Sequence, residues 1–86
     1  VIFLALPGDE PRLELTLNDG RTEPYAPGEG YGHIALSLSD METELAELAA
    51  NGIEPSRGPY PVRPGGPMIA FLRDPDGYEI ELIHRP

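Results

Sequence analysis

Proline and glycine set the limits on what this chain can fold into. Eleven prolines and ten glycines fall among 86 residues, a share that would keep a chain disordered if evenly spread, yet they gather between segments of clear periodicity and act as punctuation. The pieces between them are short. Val1–Leu6 is an apolar strand closed by Pro7-Gly8-Asp9-Glu10-Pro11, and Arg12–Leu17 alternates apolar and polar with period two, so the two predict a hairpin. Asn18 to Gly30 holds three glycines and two prolines, a long loop of the kind compact domains keep for linkers or function. His33–Leu38 alternates again and predicts a strand.

A helix follows. Ser39 lies three residues before Glu42, the spacing of a capping box, with Asp40 as the alternative cap. Met41, Leu45, Leu48 and Ala49 make one apolar stripe, while Glu42, Glu44 and Glu47 face water and suit the helix dipole at its positive end. Asn51-Gly52 ends it. Ile53–Val62 is broken by Pro55, Pro59 and Pro61, which confines any strand there to an irregular edge. Met68–Leu72 and Tyr78–Ile83 are strands around the tight turn Asp74-Pro75-Asp76-Gly77.

From Gly32 onward the order is β-α-β-β-β, so the expected class is α+β. Residues 32–86 form one complete βαβββ module, and residues 1–31 read as the last two strands of a truncated first module plus a connecting loop. Two echoes support a repeat: Leu13-Glu14-Leu15 against Ile80-Glu81-Leu82, and Val1–Leu4 against Met68–Leu72, each followed by a turn rich in Pro, Gly and Asp. The chain opens on Val1 rather than Met, which predicts that it is part of a longer product.

Charge narrows the function. Fifteen acidic against six basic side chains leave a net charge of −9, which repels phosphate backbones and anionic membranes, so no nucleic-acid or membrane role is expected. No apolar run approaches the roughly 20 residues of a membrane span. The absence of cysteine removes disulfides and thiolate zinc sites, leaves His, Asp and Glu as the strong metal ligands, and fits a cytoplasmic protein.

Alternation then selects among the acids. In Leu13–Leu17 the leucines share one face and Glu14 and Thr16 the other; in the next strand Ile34, Leu36 and Leu38 oppose His33, Ala35 and Ser37; in the last, Tyr78, Ile80 and Leu82 oppose Glu79, Glu81 and Ile83. Three strands thus offer Glu14, His33 and Glu81 on the face away from the main core. Imidazole plus carboxylates suits a divalent metal such as zinc, nickel, manganese or iron, with positions left for water or substrate. Taken singly, each is an ordinary solvated strand residue. His84 has the opposite parity from Glu81 and reads as an exposed tail residue.

The segment Tyr31-Gly32-His33-Ile34-Ala35-Leu36-Ser37, then Asp40, Asn51-Gly52, Pro61-Val62-Arg63 to Gly65-Gly66, and Ile69-Ala70-Phe71 through Asp74-Pro75-Asp76-Gly77-Tyr78-Glu79-Ile80-Glu81-Leu82-Ile83 closely resembles the second half of bacterial glyoxalase I (lactoylglutathione lyase), of the vicinal oxygen chelate superfamily. Leu13-Glu14-Leu15-Thr16 and Asn18 extend the resemblance over nearly the whole chain. The resemblance implies the glyoxalase/bleomycin resistance fold, built of paired βαβββ modules, with a metal, nickel or zinc, held by a residue from the first and last strand of each module. Glu14 matches the ligand closing the first module, His33 the one opening the second and Glu81 the one closing it. The ligand on the first module's opening strand has no counterpart, and the missing β-α-β stretch corresponds in length to Gly32–Gly66, so a comparable segment is expected before Val1.

It further implies a substrate that is the hemithioacetal of methylglyoxal and glutathione, isomerised to S-lactoylglutathione, with Glu81 as the base that shifts a proton between neighbouring carbons. Asn18 matches a glutathione-contacting position, and Arg63 resembles a basic residue that could meet a glutathione carboxylate. Where some glyoxalases carry Arg four residues before the His, this sequence has Glu29. A homodimer is expected, since unpaired strand edges need covering. The alternatives are a non-catalytic small-molecule-binding protein of the same fold, like the bleomycin-sequestering relatives, or an inactive fragment that needs another chain.

Overall fold

Punctuation and alternation resolve into two sheets and one helix in the computed structural model of the chain, which describes residues 2–26 and 28–86. The expected first residue of the first strand, Val1, lies outside the described residues, as does Pro27 of the long loop. Strands β1 (Ile2–Leu4) and β2 (Leu13–Leu15) form an antiparallel pair with Ile2 opposite Leu15 and Leu4 opposite Leu13. The turn between them is closed by Asp9 N–H to the Leu6 carbonyl at 3.0 Å and Arg12 N–H to the Leu4 carbonyl at 3.1 Å. Both strands are shorter than alternation predicted, because the register carries Thr16 and Leu17 past the described end of β1.

The second sheet is built from β3 (Ile34–Leu38), β4 (Arg57–Pro61), β5 (Met68–Arg73) and β6 (Glu79–His84), in the order β3-β6-β5-β4. Helix α1 (Met41–Ala50) connects β3 to β4, giving the expected βαβββ order. The first and last strands of the unit, β3 and β6, run parallel, β3 at one edge of the sheet and β6 inside it, with Ala35 beside Glu81 and Leu36 beside Leu82. β5 lies antiparallel to β6, Ala70 beside Leu82 and Phe71 beside Glu81. β4 is an irregular edge whose pairing shifts between Arg57 and Tyr60, as its prolines require. Gly58 is needed there: its φ is +81°, and a Cβ would stand 2.7 Å from the Ile69 carbonyl oxygen.

Period-two alternation divides the sheet's faces. Ala70, Leu72 and Leu82 are buried with Met41 of α1, flanked by Leu38, Leu45, Leu48 and Ile80, which is the helix-covered core. Phe71, Glu81 and, by strand parity, Ala35 project to the opposite face. Of the helix stripe predicted from Met41, Leu45, Leu48 and Ala49, the first three pack on this core, while Ala49 is exposed.

The two candidate caps are resolved in favour of Asp40. Its side chain accepts from the Thr43 N–H at 3.1 Å and from the Thr43 hydroxyl at 2.7 Å. At the other end Asn51 N–H reaches the Leu48 carbonyl and Gly52 N–H the Ala49 carbonyl, both at 3.0 Å, and Gly52 takes φ +80°. The Thr43 hydroxyl, then the Thr43 N–H, and more weakly His84, hold the Asp40 carboxyl below its ordinary value. A depressed carboxyl stabilises the fold above its unfolded pKa, and that contribution disappears as pH falls through the folded value. Thermal melting of the parent should accordingly weaken more steeply below the ordinary carboxyl value of 3.8 than melting of Asp40→Asn, which keeps the cap without the charge; parallel pH profiles would refute this.

Candidate functional site

The open face of the second sheet carries a row fixed by strand register: Arg57 on β4, Phe71 on β5 and Glu81 on β6. His33, just before β3, reaches into that row. Its Nε2 lies 2.8 Å from Oε1 of Glu81, so imidazole and carboxylate are in direct polar contact. The Glu81 side chain is only 13% exposed and that of His33 42% exposed, so the carboxylate is set into the sheet while the imidazole stands at its rim. Parallel pairing of β3 with β6 is what makes this possible, because it brings the start of one strand beside the matching point of the other.

The donor types suit a divalent ion: one imidazole with one carboxylate is a set that nickel and zinc both accept.

Glu14 does not join them. It sits on β2 opposite Phe3, and its carboxylate accepts from the Thr16 hydroxyl at 3.3 Å. Among the described residues no group of three His, Asp or Glu is arranged to hold a metal, so the expected three-way convergence is a pair here. The physical reason lies in the topology, since the β1-β2 hairpin shares no ladder with the second sheet and no backbone register positions Glu14 against His33.

The remaining candidates occupy other places. Asn18 donates through its amide to the Tyr25 hydroxyl, inside a loop where the Arg21 guanidinium stacks 4.0 Å over the Tyr25 ring. Arg63 lies in the β4–β5 loop, its carbonyl accepting from Gly66 N–H at 2.8 Å, and its guanidinium pairs with no described carboxylate. That loop joins Pro61 to Met68, three residues along β5 from the Phe71 row, or about 10 Å. His84 is not an exposed tail: it ends β6 half-buried, with Nε2 3.2 Å from the Ser39 carbonyl oxygen, because Arg85 N–H continues the pairing onto the Leu38 carbonyl at 2.7 Å. Its helix-side parity does keep it off the Glu81 face.

Sequence reasoning passed over three side chains that surround the pair. The Tyr31 hydroxyl donates to the Glu79 carbonyl at 2.8 Å and its ring meets Tyr78 edge-on, centroids 4.8 Å apart, tying the approach to His33 onto the start of β6. Phe71 packs its ring against His33 at 5.7 Å and 88°, and the Arg57 guanidinium lies 3.9 Å over the Phe71 ring. Phe71 was readable from alternation with Ala70 and Leu72. Arg57 was hidden by the prolines that follow it.

Residues 1–82 match the family model described as the Glyoxalase/Bleomycin resistance protein/Dioxygenase superfamily. The chain belongs to this superfamily. Its α+β fold and its βαβββ unit are those expected from the glyoxalase resemblance. The lactoylglutathione lyase of Salmonella typhimurium is 45% identical over 75 residues, covering 87% of this chain and 55% of that protein. The lactoylglutathione lyase GLX1 of Arabidopsis thaliana is 45% identical over 73 residues, covering 85% of this chain and 25% of that protein. The chain thus spans about half the length of bacterial glyoxalase relatives and a quarter of plant ones. Among solved structures, glyoxalase I from Zea mays superimposes with a TM-score of 0.59 at 41% identity, over 65% of this chain and 20% of that one. A superfamily member from Sphaerobacter thermophilus, 24% identical, shares the fold with a TM-score of 0.55 over 64% of this chain and 45% of its own.

Proposed function

We propose that this chain forms part of a metal-dependent lactoylglutathione lyase that isomerises the hemithioacetal of methylglyoxal and glutathione to S-lactoylglutathione. The observation that carries this reading is the His33–Glu81 pair, 2.8 Å apart on the sheet face that the helix leaves open, in a chain whose relatives bear that enzyme's name. His33 and Glu81 would hold nickel or zinc, with Glu14 as a third ligand once its hairpin is brought against them. When bound, the ion supplies Lewis-acid stabilisation of negative charge developing on the substrate's adjacent oxygens.

The chain's own residues move the proton. The Glu81 carboxylate would take the proton from the carbon bearing sulfur and return it to the neighbouring carbon. Carbonyl and hydroxyl thereby exchange places, and no redox partner is needed. Asn18 would release Tyr25 to bind the glutathione backbone, and Arg63, in the β4–β5 loop, would meet a glutathione carboxylate.

On this reading residues 1–31 supply the last two strands of a first module and residues 32–86 the second. A homodimer would cover the apolar hairpin, where Ile2 and Phe3 are each 60% exposed. The separation of Glu14 from the pair favours a second reading, a binding protein of the same fold without catalysis. Metal content, isomerase activity and light scattering on one preparation decide. Bound nickel or zinc with activity in a dimer is the expected result; a metal-free protein that binds small ligands without turnover would establish the second reading, and a monomer inactive until another chain is added would make this an incomplete fragment.

A further inference from the structure

We propose that Phe71, backed by Arg57, is a positioning residue that fixes the His33 imidazole with Nε2 facing Glu81, an inference that rests on reading His33 as a metal ligand. Strand order places β4 on one side of β5 and β3, beyond β6, on the other, so Phe71 stands between Arg57 and His33. The ring is itself enclosed, since Phe71 is only 7% exposed. Arg57 is held in turn: its Nη2 lies 2.8 Å from Oε2 of Glu79, whose other oxygen is 3.5 Å from Arg73. A planar guanidinium clamped by a carboxylate over an aromatic face is a geometry that lysine cannot reproduce.

His33 needs such a support. Its side chain is 42% exposed, and among the described residues the contacts that define its ring orientation are the polar contact with Glu81 and the edge-on packing against Phe71. The first of these uses the same nitrogen that would face a metal, so it cannot hold the ring while that nitrogen is a ligand. Phe71 contacts the ring without using a nitrogen, and it orients the imidazole equally in the metal-free and the metal-loaded protein.

Two measurements test this on the intact protein and its Phe71→Leu, Phe71→Tyr, Arg57→Gln and His33→Ala variants. In the metal-free state, proton NMR reads the ring-current displacement that Phe71 imposes on the His33 ring protons. Calorimetric titration with nickel reads affinity. Phe71→Leu should return the His33 ring protons toward free-histidine positions and weaken nickel binding roughly 10-fold. Phe71→Tyr should restore both, and Arg57→Gln should shift the resonances the same way by less. If Phe71→Leu fails to fold, Arg57→Gln decides alone, because its side chain is 51% exposed and its loss leaves the core intact. Unmoved His33 resonances in the folded variants overturn the proposal. So does unchanged nickel affinity in Phe71→Leu when His33→Ala has lost binding, which leaves the ligand reading standing. Parent-like affinity in His33→Ala defeats the ligand reading itself, and the positioning role with it.

Discussion

Glu81→Gln should lower kcat by about 10²–10⁴-fold, the range removed with a general base, while bound nickel is largely retained. The amide has the shape of the carboxylate, keeps an oxygen that can serve as a ligand, and leaves the pairing of Glu81 with Phe71 and Ala35 undisturbed. What it cannot do is take a proton. His33→Ala should behave differently, losing nickel and activity together, because it removes a ligand and not a base. Titrating both variants with nickel and zinc before assaying them separates the two effects. A Glu81→Gln protein with activity within a few-fold of the parent would remove Glu81 from the role of base, and one that is inactive only because it is metal-free would leave the role undecided between ligand and base until metal is restored at saturating concentration and kcat is measured again.

The parts of the site that lay open to sequence reasoning are those governed by parity along single strands. Glu81 opposite Leu82, and His33 opposite Ile34, follow from alternation because apolar and polar side chains take opposite faces of each strand, and the Asp74–Gly77 turn sets the pairing of β5 with β6, its Asp74 carboxylate accepting from Asp76 N–H at 2.9 Å and Tyr78 N–H at 2.8 Å. That His33 and Glu81 touch depends on something alternation does not contain, the parallel register of two strands separated by more than forty residues of chain. Glu14 illustrates the same limit from the other side. Its parity is right, with Thr16 on its own face as predicted, but no ladder connects its hairpin to β3 or β6. Arg57 and Tyr31 escaped notice because they enter through side-chain contacts from irregular segments, where neither period two nor period 3.6 constrains direction.

Leu82→Ala should be the most destabilising single truncation in the chain, by about 2–5 kcal/mol. Leu82 is 3% exposed and sits where Leu36 of β3 and Ala70 of β5 flank it on either side, beneath Met41 and beside Leu72. Ala70, fully buried at 0% exposed, has no side chain long enough to fill the space a missing leucine leaves, so the cavity term adds to the transfer term. For a domain of this size total stability is on the order of 4–13 kcal/mol, and the loss is therefore a large fraction of it. Leu17→Ala is the matched control: the same chemistry at a position 84% exposed should change stability by no more than about 0.5 kcal/mol. Urea unfolding of the two variants against the parent reads the difference, and a Leu82→Ala loss below about 1 kcal/mol would mean that the α1-covered layer is not the chain's core. The consequence reaches the site, because Leu82 is the residue beside Glu81 and the strand it anchors is the one that holds that carboxylate against His33. Loosening the layer under β6 should thus weaken nickel binding in Leu82→Ala even at temperatures where the protein remains folded, whereas Leu17→Ala leaves binding as it was.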